Sequence, residues 1–278
     1  MLGKLIKHEF KSTAHSMFGI YLSALFTFLA MLLVFFIKNR TLMITGSLVL
    51  VGICVAAIVV TLFAIIGTFN KSLYGNQGYL SFTLPVSGKS LLASKTVVSL
   101  AWIFISFAFI IAVAAFLLFY WIAQTSESFK DIVNMVYTTL QTMMGMPDAE
   151  TAVKSIAVLV ALLFMKALFL IFKVSFSLTI ANTKSFQKLN PVLAAILVYF
   201  AIYLVLNAAN LAAAFIPVQL AIATNGIGLT VGETMIGLAE NANVFLPLPI
   251  LGYIFEAVVC VALYLLTGDI MTKRVNVK

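Results

Sequence analysis

The chain has 278 residues, of which 63% are apolar and 9% charged, against about 45–50% apolar and about 25% charged in a soluble globular domain. Seventeen Lys or Arg and nine acids are too few to give a folded protein of this length a water-facing surface, so lipid is the solvent for most of it. The formal charge of +8 is then a topology signal to be read loop by loop rather than the footprint of a nucleic-acid partner.

The first sixteen residues, MLGKLIKHEFKSTAHS, put Leu2, Leu5, Ile6 and Phe10 on one helical face and Lys4, Lys7, His8 and Lys11 around the other. This is the pattern of an elbow helix lying in the membrane interface (residues 1–16); the same lysines equally serve as plain topology-setting charges. His8 and His15 are too isolated to ligate a metal. Cys54 and Cys260 both fall inside apolar runs, where small buried hydrophobes are the ordinary reading and no disulfide is implied.

A hydrocarbon core asks for about 20 apolar helical residues, and the segments 17–37, 42–69, 96–123, 155–181, 191–217 and 247–268 meet this, with Lys166, Lys173 and Glu256 as the only formal charges inside them. The expectation is an all-α polytopic protein: a single transmembrane domain over 1–278 with six spans. The first run is too long for a cleaved signal sequence and is expected to be retained. All prolines lie at or outside span ends, as unbroken helices require. No internal repeat is evident.

Between the third and fourth spans, within the segment 124–152, Phe129, Ile132, Val133, Val136, Tyr137, Leu140 and Met144 recur at helical steps, opened by Ser128 and closed by Gly145 and Pro147. This predicts an external amphipathic helix. Asp148 and Glu150 fit the first turn of the helix that follows. Residues 218–246, with four glycines between Pro217 and Pro247, are expected to form short external or re-entrant helices. A seventh span there is disfavoured by charge. With six spans, eleven Lys or Arg and two acids (Glu9, Asp269) share one side with both termini, while Lys38, Arg40, Lys130 and Lys154 face six acids on the other; the positive side is cytoplasmic.

The loop 70–95, NKSLYGNQGYLSFTLPVSGKSLLASK, ends in Gly88, Lys89 and Ser90, which mimics a phosphate-binding loop. The spacing fails, because Thr83 stands where glycine is needed and Pro85 interrupts the nest of backbone donors. No nucleotide cofactor is expected on this chain. Ser87 instead reads as the N-cap of the third span, leaving Tyr79, Leu80, Phe82, Leu84 and Val86 as apolar groups at the cytoplasmic interface. Either membrane lipid or a protein partner covers them.

Ionisable groups in lipid are functional candidates with a partner to be named. At about 1.5 Å per residue, Lys166 lies about 22 Å and Glu256 about 18 Å from the cytoplasmic ends of their helices, so they can pair near the midplane. Such a pair either holds two helices together or serves as a substrate contact or proton relay. Lys173, about 12 Å from its helix end, is expected to snorkel. Asn207 and Asn210 on the fifth span suit interhelical hydrogen bonding or a polar path. The sequence holds no H-E-x-x-H, no G-x-S-x-G and no paired external carboxylates, so neither an enzyme nor a metal site is expected.

With these residues in hand, the chain resembles the permease subunits of type 2 ATP-binding-cassette (ABC) exporters, in the form common in low-GC Gram-positive bacteria. The likeness rests on the opening LGKLIKHEFK before a first span and on GNQGYLSFTLPVSGKSLLASK after the second, which is similar to that family's G-x-E-G-Y-L-x-F-T-L-P-V-S followed by L-L-x-S-K. Gln77 stands at the family's acidic position. The resemblance implies a six-span permease in the plasma membrane with both termini cytoplasmic, an inner-leaflet elbow, external helices between spans 5 and 6, a second permease copy or paralogue, and a separate nucleotide-binding ATPase subunit. It assigns coupling to that ATPase to Tyr79, Leu80, Phe82, Leu84, Pro85 and Ser87. An ion-coupled secondary transporter using Lys166 and Glu256, and a non-transporting immunity or scaffold protein, are the alternatives from other classes.

Overall fold

A computed structural model describes residues 2–37, 40–74, 88–123, 149–183, 189–223, 226–241 and 244–273, with Asp131, Asn134, Thr138 and Phe186 between them. In chain order these form α1 (Leu2–Ile37), α2 (Arg40–Phe69) continued by a π-helical turn (Asn70–Tyr74), α3 (Gly88–Ala123), α4 (Ala149–Ala181), α5 (Pro191–Ala214), β1 (Val218–Ala223), β2 (Gly226–Val231), α6 (Met235–Ala239), β3 (Val244–Leu248) and α7 (Ile250–Lys273). Among the described residues, five helices are long and apolar enough to cross a membrane, one each in α2, α3, α4, α5 and α7. In α1, two apolar stretches, Gly3–Ala14 and Met17–Ala30, meet at 50°; α1 makes a sixth span if the bent pair is counted as one.

The length and composition explain the helices. In lipid every backbone N–H and C=O needs an internal partner, which a helix supplies within its own segment. The long helices leave large apolar side chains exposed, among them Leu48, Phe63, Ile111, Val160, Val205 and Val258. In water such a surface would aggregate; against acyl chains it is the solvated face. The protein is therefore a multi-pass membrane protein.

The chain forms two compact units, one of Met1–Gln124 with Gly268–Lys278 and one of Thr125–Thr267. In the first, α1, α2 and α3 pack around Met17, Val98 and Trp102, with Leu50 and Val113 forming a second apolar cluster. Glu9 meets Lys95, Thr13 meets Trp102 and Tyr21 meets Ser106, so α1 and α3 run in the same direction. The Thr61–Ser106 and Leu50–Val113 contacts run the other way along α2, which makes α2 antiparallel to both.

In the second unit, Phe169, Leu206, Cys260 and Leu263 form the core shared by α4, α5 and α7. A three-stranded antiparallel sheet of order β2-β1-β3 packs Ile222 and Leu248 onto Val158, Leu159 and Leu162 of α4 and Tyr253 of α7. Pro247, which cannot donate to a ladder, sits in β3 at the sheet's edge. Gln219 on β1 is fully buried, and its Nε2 donates to the carbonyls of Ala213, Ala214 and Ile216 at 3.3, 3.4 and 2.7 Å. It thereby adds a side-chain donor at the C-terminal end of α5, where the Phe215 and Ile216 N–H groups already serve the Ala212 and Ala213 carbonyls.

This sheet corrects the all-α expectation. Residues 218–246 form strands with a single five-residue helix, α6, rather than external helices. The physical reason is a period-two pattern: Leu220 and Ile222, then Ile227, Leu229 and Val231, pair across a two-stranded register that glycines 226 and 228 leave uncrowded. The loop expected over 70–95 is also shorter. Residues 70–74 extend α2 and residues 88–95 already belong to α3. The amphipathic segment 124–152 lies mostly outside the described residues; Asp131, Asn134 and Thr138 are helical within it, and residues 149–152 open α4.

Gln219→Leu keeps the volume and removes a side-chain donor from carbonyls of which Ala213 and Ile216 keep a backbone donor, so it is expected to cost about 1 kcal/mol. A lowered thermal unfolding midpoint in detergent checks this; an unchanged midpoint removes the capping role.

Candidate functional site

A line of polar groups in the first unit runs along one stripe of α3. Lys95, Ser99, Trp102 and Ser106 follow at helical steps and face Glu9, Thr13, Met17 and Tyr21 of α1, spaced four apart. Lys95 is 1% exposed, and its Nζ donates to Glu9 Oε1 at 2.7 Å. One turn on, Trp102 Nε1 donates to Thr13 Oγ1 at 2.9 Å while its ring stacks on Phe10 with centroids 4.9 Å apart. The Tyr21, Ser106 and Thr61 hydroxyls close the stripe with bonds of 2.6 and 2.9 Å. A small cavity lined by Glu9, Thr13, Lys95, Ser99 and Trp102 lies along it.

The first turn of α3 carries a further attachment. Lys89 pairs with Asp269 at 3.0 Å. Gly268 permits the approach: a Cβ built there would fall 2.7 Å from Lys89 Cγ. The N-terminal part of α1, the start of α3 and the last turn of α7 thus gather at one end of this unit.

The second unit holds the charges that the sequence places inside spans. Lys166 Nζ donates to both Glu256 oxygens, at 2.7 and 2.5 Å, and lies 4.7 Å from the centroid of the Tyr253 ring. The pair is asymmetric, the Lys166 side chain being 44% exposed and that of Glu256 5%. Asn210 Nδ2 donates to Glu256 Oε1 at 2.6 Å. Gly252 makes room for this contact, since a Cβ there would collide with Asn210 Oδ1. A buried carboxylate is tolerable only when its lone pairs are taken, and here an ammonium and an amide take them. Asn207 instead bonds the carbonyl of Tyr203 on its own helix at 2.7 Å.

Lys173 is 7% exposed. Its Nζ lies 4.4, 5.3 and 5.3 Å from the ring centroids of Tyr199, Tyr203 and Phe169, a cage of π faces. The expectation of snorkelling is overturned. Phe169 lies one turn farther from Ala181, the nearer end of α4, and Tyr203 one turn farther from Pro191, the start of α5, than Tyr199. The ammonium is thus enclosed by rings rather than carried to a helix end.

Of the remaining residues singled out in the sequence, Tyr79, Leu80, Phe82, Leu84, Pro85 and Ser87 lie outside the described residues, as does the side chain of Leu2. Ile6 packs on the Met17, Val98 and Trp102 cluster, and Phe10 stacks on Trp102. Half of the face expected to lie in lipid is therefore spent on α3. The Glu9–Lys95 pair was not legible because the two are 86 residues apart and Lys95 reads as loop. Its signal was available: Glu9 is the single acid among the charges that open the chain. Among the described residues, no group of three His, Cys, Asp or Glu could hold a metal ion. Compared with protein-family models, with curated proteins and with solved structures, the chain matches none.

The asymmetry of the Lys166–Glu256 pair fixes the order of its mutants. Lys166→Met strands a buried carboxylate and is expected to cost about 3–5 kcal/mol. Glu256→Gln costs less, because Asn210 retains a partner and the half-exposed ammonium can turn outward. The double variant Lys166→Met with Glu256→Leu regains most of the loss. Thermal unfolding of the three in detergent tests this order, which fails if Glu256→Gln proves the most damaging.

Proposed function

We propose that this chain is the membrane-spanning permease subunit of an ABC export system, seated in a bacterial plasma membrane with both termini in the cytoplasm. It works beside a second permease copy or paralogue and is driven by a separate nucleotide-binding ATPase. One observation carries the reading. Directly after the stretch holding Tyr79 to Ser87, α3 is bound within its first five turns to Asp269 through Lys89, to Glu9 through Lys95, and to Phe10 and Thr13 through Trp102. A loop gripped by a motor does useful work only if the helix it pulls moves as one body with its neighbours. Nucleotide-dependent affinity of the ATPase for two permease conformations would then be transmitted along α3 to α1.

Six spans, with α1 counted as one, return both ends of the chain to a single side. The sequence puts eleven of its seventeen Lys or Arg there, which supports the cytoplasmic assignment. Phe82→Asp and Leu84→Asp are expected to abolish co-purification of the ATPase and transport while leaving membrane insertion intact. Unchanged ATPase association and transport in both variants would sink the coupling role. Lys95→Met tests the transmission separately: the ATPase still co-purifies, but transport per ATP hydrolysed falls about fivefold or more. Full coupling in Lys95→Met would show that the α1–α3 attachment plays no part.

A second reading is an ion-coupled secondary transporter with Lys166 and Glu256 as its relay. It is favoured by the one-sided exposure of that pair. Proton-driven transport by the purified chain alone, lost in Glu256→Gln, would decide for it.

A further inference from the structure

The acids within the described helices of the candidate spans and of α1's bent pair are Glu9, Glu256 and Asp269, and each already holds a lysine: Lys95, Lys166 and Lys89. The buried Lys173 holds none of them. Among the described residues no carboxylate and no carbonyl takes a hydrogen bond from its ammonium. Ring faces attract its charge but accept none of its three N–H donors in the way an oxygen does.

Position makes this more telling. Tyr199 and Tyr203 lie about 12 and 18 Å along α5, and α5 is about 36 Å long, so the ammonium sits near mid-span. A buried cation at that depth, with no carboxylate bonded to it among the described residues, marks a place where an anion arrives from outside the chain. The surface beside it is open. Tyr203, Phe200 and Leu204 on α5 are exposed, so an acyl chain can lie along α5 while its charged head turns in toward α4. Tyr199 and Tyr203, one turn apart on the same face, add phenol donors next to the ammonium.

We propose that Lys173, caged by Phe169, Tyr199 and Tyr203, is a binding site for the anionic oxygen group, phosphate or carboxylate, of an amphiphile that lies within the bilayer. The site stands independently of any ATPase, so it survives even if the coupling assignment fails.

The test uses the full chain in nanodiscs of phosphatidylcholine, with radiolabelled dodecyl phosphate as the anionic probe and dodecanol as its uncharged counterpart. The wild type is expected to bind dodecyl phosphate saturably and about tenfold or more tighter than dodecanol. Lys173→Met is expected to lose that difference, and Lys173→Arg to keep it. Met preserves the side-chain length and removes a buried charge, so a thermal midpoint at or above that of the wild type shows that the loss of binding is not a loss of fold. Replacing part of the phosphatidylcholine by phosphatidylglycerol identifies the source: competition with the probe points to a membrane lipid headgroup, and no competition points to a transported amphiphile. Equal binding of the two probes by the wild type, or equal binding of dodecyl phosphate by the wild type and Lys173→Met, overturns the proposal.

Discussion

Taking a carboxylate or an ammonium out of water and into a medium as apolar as lipid tails costs several kcal/mol per ion even after the surroundings relax. In this chain the arrangement of helices follows from how that cost is offset. Glu9 is held by Lys95 and Glu256 by Lys166 and Asn210, while the half-exposed Asp269–Lys89 pair carries little of this cost. Each pair joins elements far apart in sequence: α1 to α3, α4 to α7, and α3 to the end of α7. Apolar packing in a bilayer discriminates poorly between one helix pairing and another, since a lipid tail is as good a neighbour for Leu as another Leu. A charge with a single available counter-charge discriminates strongly, and so fixes which helices meet and at what height.

Uncharged polar groups continue this logic along α3. Thr13, Tyr21, Thr61, Trp102 and Ser106 all find protein partners within or between helices, where a lipid neighbour would leave them unsatisfied. The stripe also keeps α1 attached to α3 on both sides of its bend. Glu9 and Thr13 precede the bend and Tyr21 follows it, and all three bond side chains of α3. Close approach comes from small residues where it is needed, with Gly252 admitting Asn210 and Gly268 admitting Lys89.

The long apolar runs were legible because length and hydropathy suffice when the solvent is lipid, and Lys166 and Glu256 stood out for the same reason: a formal charge inside such a run is conspicuous. Lys95 was not conspicuous, because it lies at the border of a loop, and only the early start of α3 at Gly88 brings it inside. The sheet was missed through the choice of period. Glycines at 226 and 228 and prolines at 217 and 247 read as helix breakers between spans, yet the alternation of Leu220 and Ile222 with Ile227 and Leu229 was there to be seen. Single residues on short strands carry a weaker signal than a run of twenty. The enclosure of the Lys173 ammonium depends on three rings, two of them on another helix, and no one-dimensional pattern encodes it.

Gln219 shows how the two kinds of structure depend on each other. The end of α5 takes backbone donors from the chain beyond it, Phe215 N–H to Ala212 and Ile216 N–H to Ala213, and Gln219 adds a buried side-chain donor to the same turn. By placing an amide side chain on the first strand, the chain uses the sheet to serve the end of the helix, while Ile222 and Leu248 on the same sheet cover Val158, Leu159 and Leu162. A helical segment in this place would have satisfied its own backbone but offered no extended edge from which Gln219 could reach back. The sheet thus contributes a side-chain donor to the end of α5 as well as a cover for the apolar face of α4.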